Sequence, residues 1–294
     1  MNTKKLIHLI FCIFFFVSWA NCQDENISPP QFDQYFKNSY LINPAILDTI
    51  GKVNLSFGNR TYTGLLKGVA RNFIQGSFKF HSLKSKNLHD VGVLVIAGKD
   101  GEFFSKNRAF LRYGYRLAIT SKIAASAGVS LGFINYSVKS SPASAGGNST
   151  VPDIHLGIWI TSSHIDFGIS SQQLLQLTIS PLDQTFILAR IYDLNLNYKS
   201  NLNKSLQFNL YNHIRYQNKN SWMIESGPIL IWKNILEGGF NYRYLRGMAI
   251  IAGVSSIKIA SSELRITGSF FISSSSLSGV NDNILEFSIA YIHL

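Results

Sequence analysis

The stretch from Ile187 to Tyr216 constrains the fold most, because it holds two runs in which apolar and polar residues alternate. The apolar positions are Tyr192, Leu194, Leu196 and Tyr198 in the first run and Leu206, Phe208, Leu210, Ile214 and Tyr216 in the second. A period of two residues places these side chains on one face of a strand and the intervening polar ones on the other. Each run has about ten residues, the length with which a tilted strand crosses a bilayer. The sequence therefore predicts a membrane barrel built from such hairpins.

A soluble β-sandwich is the alternative fold, since its strands also alternate. The aromatic residues favour the barrel. If the two runs are antiparallel, one rim receives Tyr198 and Trp232, and the other receives Tyr216, Trp222, Tyr242 and Tyr244. Two aromatic girdles that border an apolar band are typical of outer-membrane barrels.

From Gly51 onward the pattern predicts fourteen antiparallel strands, an even number as in bacterial barrels. Their predicted bounds are 51–62, 70–81, 90–98, 108–120, 122–138, 152–161, 163–172, 187–199, 205–217, 221–232, 234–245, 247–258, 262–274 and 282–294. Several links after even-numbered strands are short, at Thr120, Ser162, Lys233 and Ala260, and the longer ones follow odd-numbered strands. Because periplasmic turns are short and outer loops long, we expect both termini on the periplasmic side.

Composition excludes two other classes of protein. Beyond the first residues, the longest apolar runs are Val91–Ala97 and Met248–Val254, which are too short for a membrane-spanning helix. The net charge is +11, but the 27 Lys and Arg residues are dispersed rather than gathered on one helix or arm, so nucleic acid is not an expected partner. A basic lumen, or loops that face anionic lipid, explains the charge.

The first 22 residues predict an export signal. Lys4 and Lys5 precede an apolar core from Leu6 to Val17, and Ala20 and Cys22 fit the small-residue pattern for cleavage before Gln23. Cleavage before Gln23 leaves a mature chain without cysteine, whereas cleavage before Cys22 would give a lipoprotein. We therefore divide the chain into a signal peptide (1–22), a periplasmic or lumen-tucked segment (23–50) and a barrel (51–294).

No constellation of residues predicts catalysis or a cofactor. The seven His residues lack the spacing of a metal site, and Ser residues show no nucleophile elbow. Glu225 and Glu237 lie on neighbouring predicted strands and could form an acid pair. Pairing of these carboxylates with Arg215 or Arg243 in the lumen is the preferred interpretation. We expect no catalytic residue, no metal and no cofactor.

The segment ahead of the barrel has the most specific pattern. Its residues Gln31, Phe32, Gln34 and Tyr35 precede an Ile-Asn-Pro-Ala group that contains Asn43 and Pro44. This spacing resembles the start of the PorP/SprF family, outer-membrane proteins linked to type IX secretion in Bacteroidetes. A second block is similar to that family's next motif, with Arg60, Tyr62, Gly64, Gly68 and Ala70. Tyr62 replaces the family's usual Trp, Arg71 stands where Pro is usual, and the motif match covers about the first quarter of the chain.

The resemblance implies a function that composition does not. It implies an accessory protein of type IX secretion, located in the outer membrane, that aids export or surface anchoring of a large secreted protein such as a gliding adhesin. Periplasmic subunits of that machinery, the secreted protein and the lipid bilayer are the implied partners, and an enzyme is not expected. Candidate partner contacts are Gln31, Phe32, Gln34, Tyr35, Asn43, Pro44, Arg60, Tyr62 and Gly64. The alternative is an outer-membrane channel or solute transporter.

Asn43-Pro44 also has a local interpretation. The residue before Pro is restricted to extended conformations, and Asn can bond its own backbone to start a turn. The pair either begins the first strand or fixes a docking segment.

Overall fold

A computed structural model describes residues 29–81, 87–142, 145–182, 185–217, 221–274 and 283–294, so the predicted signal at 1–22 lies outside the described residues. Fourteen antiparallel strands form a closed barrel, and two short strands form a separate hairpin. The strands are β1 (Val53–Tyr62), β2 (Val69–His81), β3 (Leu88–Asp100), β4 (Phe104–Ala118), β5 (Ala124–Val138), β6 (Gly147–Thr161), β7 (Ile165–Gln172), β8 (Thr178–Ile179), β9 (Phe186–Ile187), β10 (Ile191–Asn201), β11 (Leu206–Gln217), β12 (Ser221–Trp232), β13 (Leu236–Arg243), β14 (Gly247–Ile259), β15 (Ser262–Ser273) and β16 (Ile284–His293). Short 3-10 helices occupy Ser39–Leu41 and Gly64–Leu66.

The barrel closes between its first and last strands. β1 pairs with β16 from Val53 opposite His293 to Tyr62 opposite Ile284. Each of the fourteen predicted strands corresponds to one strand of this barrel, which confirms the predicted fold class. Within the described residues, no helix is long and apolar enough to cross a membrane.

The barrel wall has an apolar outer face and an inner face that is largely polar, with an apolar cluster that includes Phe73, Phe110 and Ile134. On β4, Leu111 is 67% exposed, whereas the neighbouring Arg112 points into the barrel and is 4% exposed. On β10, Tyr192 and Leu194 are exposed, whereas Asp193 is buried inside. The alternation predicted from sequence is therefore the division between the lipid-facing and luminal surfaces.

The two aromatic rims form as predicted. The rings of Tyr192 and Tyr216 lie 6.3 Å apart, and that of Trp222 lies 4.6 Å from Tyr216. Trp232 lies at the opposite end of β12 from Trp222, where it pairs with Leu206.

The two ends of the barrel differ in their links. At one end, here the turn end, the strands are joined at 119–123, 162–164, 202–205, 233–235 and 260–261. At the other, the loop end, the links include 63–68, 101–103 and 173–190, the last without residues 183 and 184, which lie outside the described residues. The link at 101–103 is shorter than predicted, because β3 and β4 continue past 98 and 107 and pair as far as Asp100 and Phe104.

Several predicted strand boundaries are wrong, and β6, predicted to begin at 152, begins at Gly147. The strand predicted at 187–199 begins at Ile191, and residue 187 belongs instead to the hairpin in which β9 pairs with β8. This hairpin packs against the core of the barrel, where Ile179 and Leu188 are buried in the cluster that contains Phe32 and Phe73. At its base, Arg190 donates two hydrogen bonds to the Leu174 carbonyl, at 3.2 and 2.6 Å. The sequence pattern could not reveal this, since buried loop residues such as Leu188 extend the apolar run.

Candidate functional site: a segment that fills the lumen

Residues 29–50, here the luminal segment, run through the inside of the barrel. Pro29 and Pro30 lie at the loop end beside Ile284, the first residue of β16. Lys52 reaches the turn end, where its backbone N–H bonds the carbonyl of His293. Pro29, the first described residue, therefore lies at the opposite end of the barrel from the carboxyl terminus. The residues before it, to which the expectation of two termini on one side refers, lie outside the described residues.

A layer of buried charges fixes the segment near the loop end. The Glu286 carboxylate on β16 accepts the backbone N–H groups of Asp33, at 2.8 Å, and Gln34, at 2.9 Å. The Asp33 carboxylate, fully buried, lies 3.3 Å from an Arg60 nitrogen and 2.9 Å from an Arg243 nitrogen. Removal of one partner from a buried pair of this kind costs about 3–5 kcal/mol, because a charge is left without compensation.

Neighbouring contacts extend this layer around the wall. The Gln34 amide oxygen accepts a hydrogen bond from the Ser288 hydroxyl, at 2.6 Å. The Arg60 guanidinium also donates to the Gln31 carbonyl, at 2.6 Å, and lies 5.3 Å from the centre of the Tyr62 ring. Arg60, from the second sequence motif, thus contacts Gln31, from the first motif, inside the lumen.

Aromatic residues of the segment pack against the inner wall. Phe32 lies edge-on to Phe73, with ring centroids 5.0 Å apart. Tyr35 lies 4.9 Å from the ring of His213, and Phe36 stacks on Tyr211 at 4.6 Å. These rings form parts of the protein core rather than a surface patch.

Halfway along the lumen, Arg112 on β4 holds the segment by two means. Its guanidinium carbon lies 3.5 Å from the centre of the Tyr40 ring. Its Nη1 donates to the carbonyls of Pro44, at 3.1 Å, and Ile46, at 3.0 Å. Asp90 forms an ion pair with Arg112 and accepts the Tyr40 hydroxyl at 3.2 Å.

Asn43 fixes the turn that follows. Its side-chain oxygen accepts the Ala45 N–H at 2.9 Å, and its amide nitrogen donates to the carbonyls of Ile158, at 3.2 Å, and Ile169, at 3.3 Å. The Ser170 hydroxyl donates to the Ile42 carbonyl at 2.6 Å. Asn43-Pro44 therefore makes a turn inside the barrel, well before β1 begins.

This turn lies in a trough of small residues. Gly114, Gly128 and Gly157 are aligned in register on β4, β5 and β6. A Cβ atom at Gly128 would collide with the Pro44 carbonyl, and one at Gly157 would collide with the Asn43 side chain. The close approach of the Pro44 backbone requires glycine at position 128, and the Asn43 side chain occupies the space that a Cβ atom would need at position 157.

The acidic residues that the sequence placed side by side form separate ion pairs. Glu225 pairs with Arg243, as the ion-pair interpretation predicted, and Glu237 pairs with Lys37 of the luminal segment. Arg215 pairs instead with Asp193, at 2.7 Å. Among the described residues, no group of three His, Cys, Asp or Glu side chains could hold a metal ion.

Eight of the nine candidate residues lie in the luminal segment or directly beside it, at two levels of the lumen. Gln31, Phe32, Gln34, Tyr35, Asn43 and Pro44 lie in the luminal segment, and Arg60 and Tyr62 lie on the wall beside its first residues. Gly64 lies apart, in the β1–β2 link at the loop end, with a positive φ of 72°. Sequence reasoning missed Asp33, Glu286 and the glycine trough. The sequence feature that could have indicated the trough is a glycine at an inward-facing position of three consecutive strands, at the same height in the barrel.

Cavities remain beside the segment, and two of them lie toward opposite ends of the lumen. One of about 700 Å³ extends along the turn-end half of the lumen and is lined by polar groups such as Asn195, Asn197 and Lys199. The other, of about 330 Å³, lies at the loop end.

The comparisons with known proteins agree with this architecture. A family model described as "Type IX secretion system membrane protein PorP/SprF" matches residues 25–291. No curated protein matches the chain in sequence. Among solved structures, a TodX deltaS2S3 mutant monoaromatic hydrocarbon channel has a TM-score of 0.59 at 12% identity, over 86% of this chain and 93% of its own. The Pseudomonas putida toluene transporter TodX has a TM-score of 0.52 at 11% identity, over 86% of this chain and 92% of its own. At such identities the likeness shows the fold alone.

Proposed function

Because the chain belongs to the PorP/SprF family of type IX secretion system membrane proteins, we propose that it is an accessory barrel of that system. It resides in the outer membrane and aids export or surface anchoring of a large secreted protein such as a gliding adhesin. The observation that carries this proposal is the luminal segment, which is fixed by buried ion pairs and by a fitted glycine trough. A barrel filled in this way is suited to binding and anchoring rather than to passive flow.

The links between the strands support an orientation. Short turns face the periplasm in outer-membrane barrels, and longer loops face outward. The turn end then meets periplasmic subunits of the secretion machinery, and the loop end meets the secreted protein. The motif residues Gln31, Arg60 and Tyr62 lie near the loop end, so they act in this proposal by fixing the shape of the surface that the secreted protein contacts.

A channel is the second candidate function, and the cavity of about 700 Å³ at the turn end favours it. The segment from Phe32 to Tyr35 separates this cavity from the loop end, so passage requires the segment to move. Conductance separates the two functions: an accessory barrel stays closed in a planar bilayer, whereas a channel conducts without any partner. An enzymatic role has no support in the residues, and we propose none.

The experiment that tests the accessory role removes residues 31–40 and leaves the signal and the barrel intact. We expect a barrel that still shifts in mobility when heated but fails to display the secreted protein at the surface. Both quantities are measured in one strain, with wild-type protein at matched abundance as the control. A folded, truncated barrel with undiminished export would contradict the proposal, and loss of the barrel would assign the segment to folding.

A further inference from the structure

Another cavity, here the rim cleft, lies at the turn end, where the chain leaves the lumen and enters β1. It has a volume of about 500 Å³ and lies against the turn ends of β2, β3 and β4, with Thr49, Lys52, Lys79, Leu88 and Arg116 among its lining residues. Three of these side chains are Lys or Arg, and none of the described residues that line the cleft is acidic. The volume is within the range of small-ligand sites, roughly 300–1,000 Å³.

The cations of the rim cleft have donors to spare. Lys79 is 3% exposed, and its ammonium donates to the Ile50 carbonyl at 2.8 Å. The side chains of Arg116 and Lys52 make no hydrogen bond or ion pair with any residue that the structure describes. Because an ammonium has three donors and a guanidinium five, most of the donors in the cleft remain available to a ligand.

Three carboxylates lie near these cations, and each already has partners. Asp90 forms an ion pair with Arg112, Asp166 forms one with Lys199, and Asp48 accepts hydrogen bonds from Ile50 and Asn54 and lies 3.8 Å from Arg265. The positive charge of Lys52, Lys79 and Arg116 therefore exceeds the negative charge available to it.

The rim cleft also reaches the lipid-facing side of the wall. Three consecutive residues of β2 line it, with Phe78 and Phe80 on the outer face and Lys79 between them on the inner face. The two Phe side chains are 53% and 42% exposed, and the ring of Phe80 stacks on that of His89 at 5.0 Å. Aromatic side chains at the end of a barrel lie at the level of the lipid headgroups. A ligand in the cleft therefore has apolar rings on one side and cations on the other.

We propose that the rim cleft binds the phosphate of an anionic phospholipid, whose acyl chains lie along Phe78 and Phe80. Arginine donates to phosphate bidentately, and basic pockets at a membrane surface bind phosphorylated headgroups. A free anion or a peptide would use the cations but not the aromatic side of the cleft. Because Lys52 follows the luminal segment and Arg116 belongs to the wall, one phosphate joins the two. The assignment of this lipid to the periplasmic leaflet rests on the proposed orientation, whereas the binding itself does not.

The test measures binding of a fluorescent phosphatidylglycerol to the purified protein in a nonionic detergent. We expect Arg116→Gln to weaken binding about tenfold, the effect of losing one charged hydrogen bond. Lys52→Gln should weaken it about fivefold, the effect of one exposed cation beside an anionic lipid. The matched control is Lys258→Gln, which removes the same charge from β14 on the opposite wall and should leave the affinity unchanged. Phosphatidylcholine with the same fluorophore should bind far more weakly.

Heat-dependent gel mobility verifies that each variant is folded, and Lys52→Gln, at an exposed position, carries the test if Arg116→Gln does not fold. Three results would overturn the proposal. Equal weakening by Lys258→Gln would mean that overall charge alone attracts the lipid. Equal affinity for phosphatidylcholine would mean that the acyl chains alone bind. Glycerol phosphate that competes as strongly as unlabelled phosphatidylglycerol would make the cleft a small-anion site. Since the assay contains no export machinery, its failure is distinguishable from a failure of the proposed function.

Discussion

Replacing Gly128 by alanine should loosen the luminal segment while the barrel stays intact. The added Cβ would lie 2.6 Å from the Ala45 nitrogen and closer still to the Pro44 carbonyl. Ordinary contacts are near 3.5 Å, so one of the two backbones must shift by about 1 Å. Gly128 sits between two ladders of hydrogen bonds, to β4 and β6. Because these ladders hold the wall in place, we expect the luminal segment to shift rather than the wall.

The expected magnitude follows from two contributions. Overpacking by one methyl group costs about 1–3 kcal/mol. A shift of Pro44 also lengthens the hydrogen bond from Arg112, now 3.1 Å, and such charged bonds are worth about 1.5–3 kcal/mol. A combined loss of about 3 kcal/mol lowers the ratio of bound to released segment roughly a hundredfold.

Two readouts report the released segment. Planar bilayers should show openings of Gly128→Ala protein far more often than of wild type, and trypsin should cleave more rapidly after Lys37. The matched control is Gly268→Ala on the lipid-facing side, where a Cβ has open space and the nearest atom is 3.9 Å away. Equal conductance and equal cleavage in the two variants would refute the argument that the trough holds the segment.

Three further outcomes are expected. Unheated protein from the outer-membrane fraction should migrate faster than boiled protein on a denaturing gel, and recovery as a soluble periplasmic monomer would contradict the barrel. Leu210→Arg should reduce the amount in the membrane far more than Asn209→Arg, since a lipid-facing cation near the midplane costs roughly 2–4 kcal/mol; equal losses would mean that the two faces of β11 are assigned wrongly. Glu286→Gln removes the charge that Arg60 faces and one of the two oxygens that accept backbone N–H groups, so trypsin should reach Lys37 sooner, and unchanged cleavage would show that this carboxylate does not hold the segment.

The strands were predictable because the alternation of apolar and polar residues in each strand reflects the environments of its two faces. Alternation such as that around Asp193 and Leu194 is a local property, fixed by lipid on one side and the lumen on the other. The error at residue 187 arose where this rule fails: the β8–β9 hairpin buries apolar residues against the core of the barrel rather than against lipid.

The luminal segment was only partly predictable. Its aromatics and Asn43-Pro44 were visible as a motif, but the partners of Asp33 were not, since Arg243 lies 210 residues further along the chain. Closure of the barrel brings them together, and alternation does not specify which inward residue meets the segment. The glycines of the trough look like ordinary strand glycines until the registers of three strands are known.

Site-specific photo-crosslinking in secreting cells tests the central claim most directly. A photoreactive residue in place of Arg71 reports the loop end, and one in place of Lys258 reports the turn end. The account predicts crosslinks from the loop end to a large exported protein and from the turn end to periplasmic subunits of the secretion machinery. An absence of any exported protein from crosslinks at both ends, in cells that are exporting it, would contradict the account.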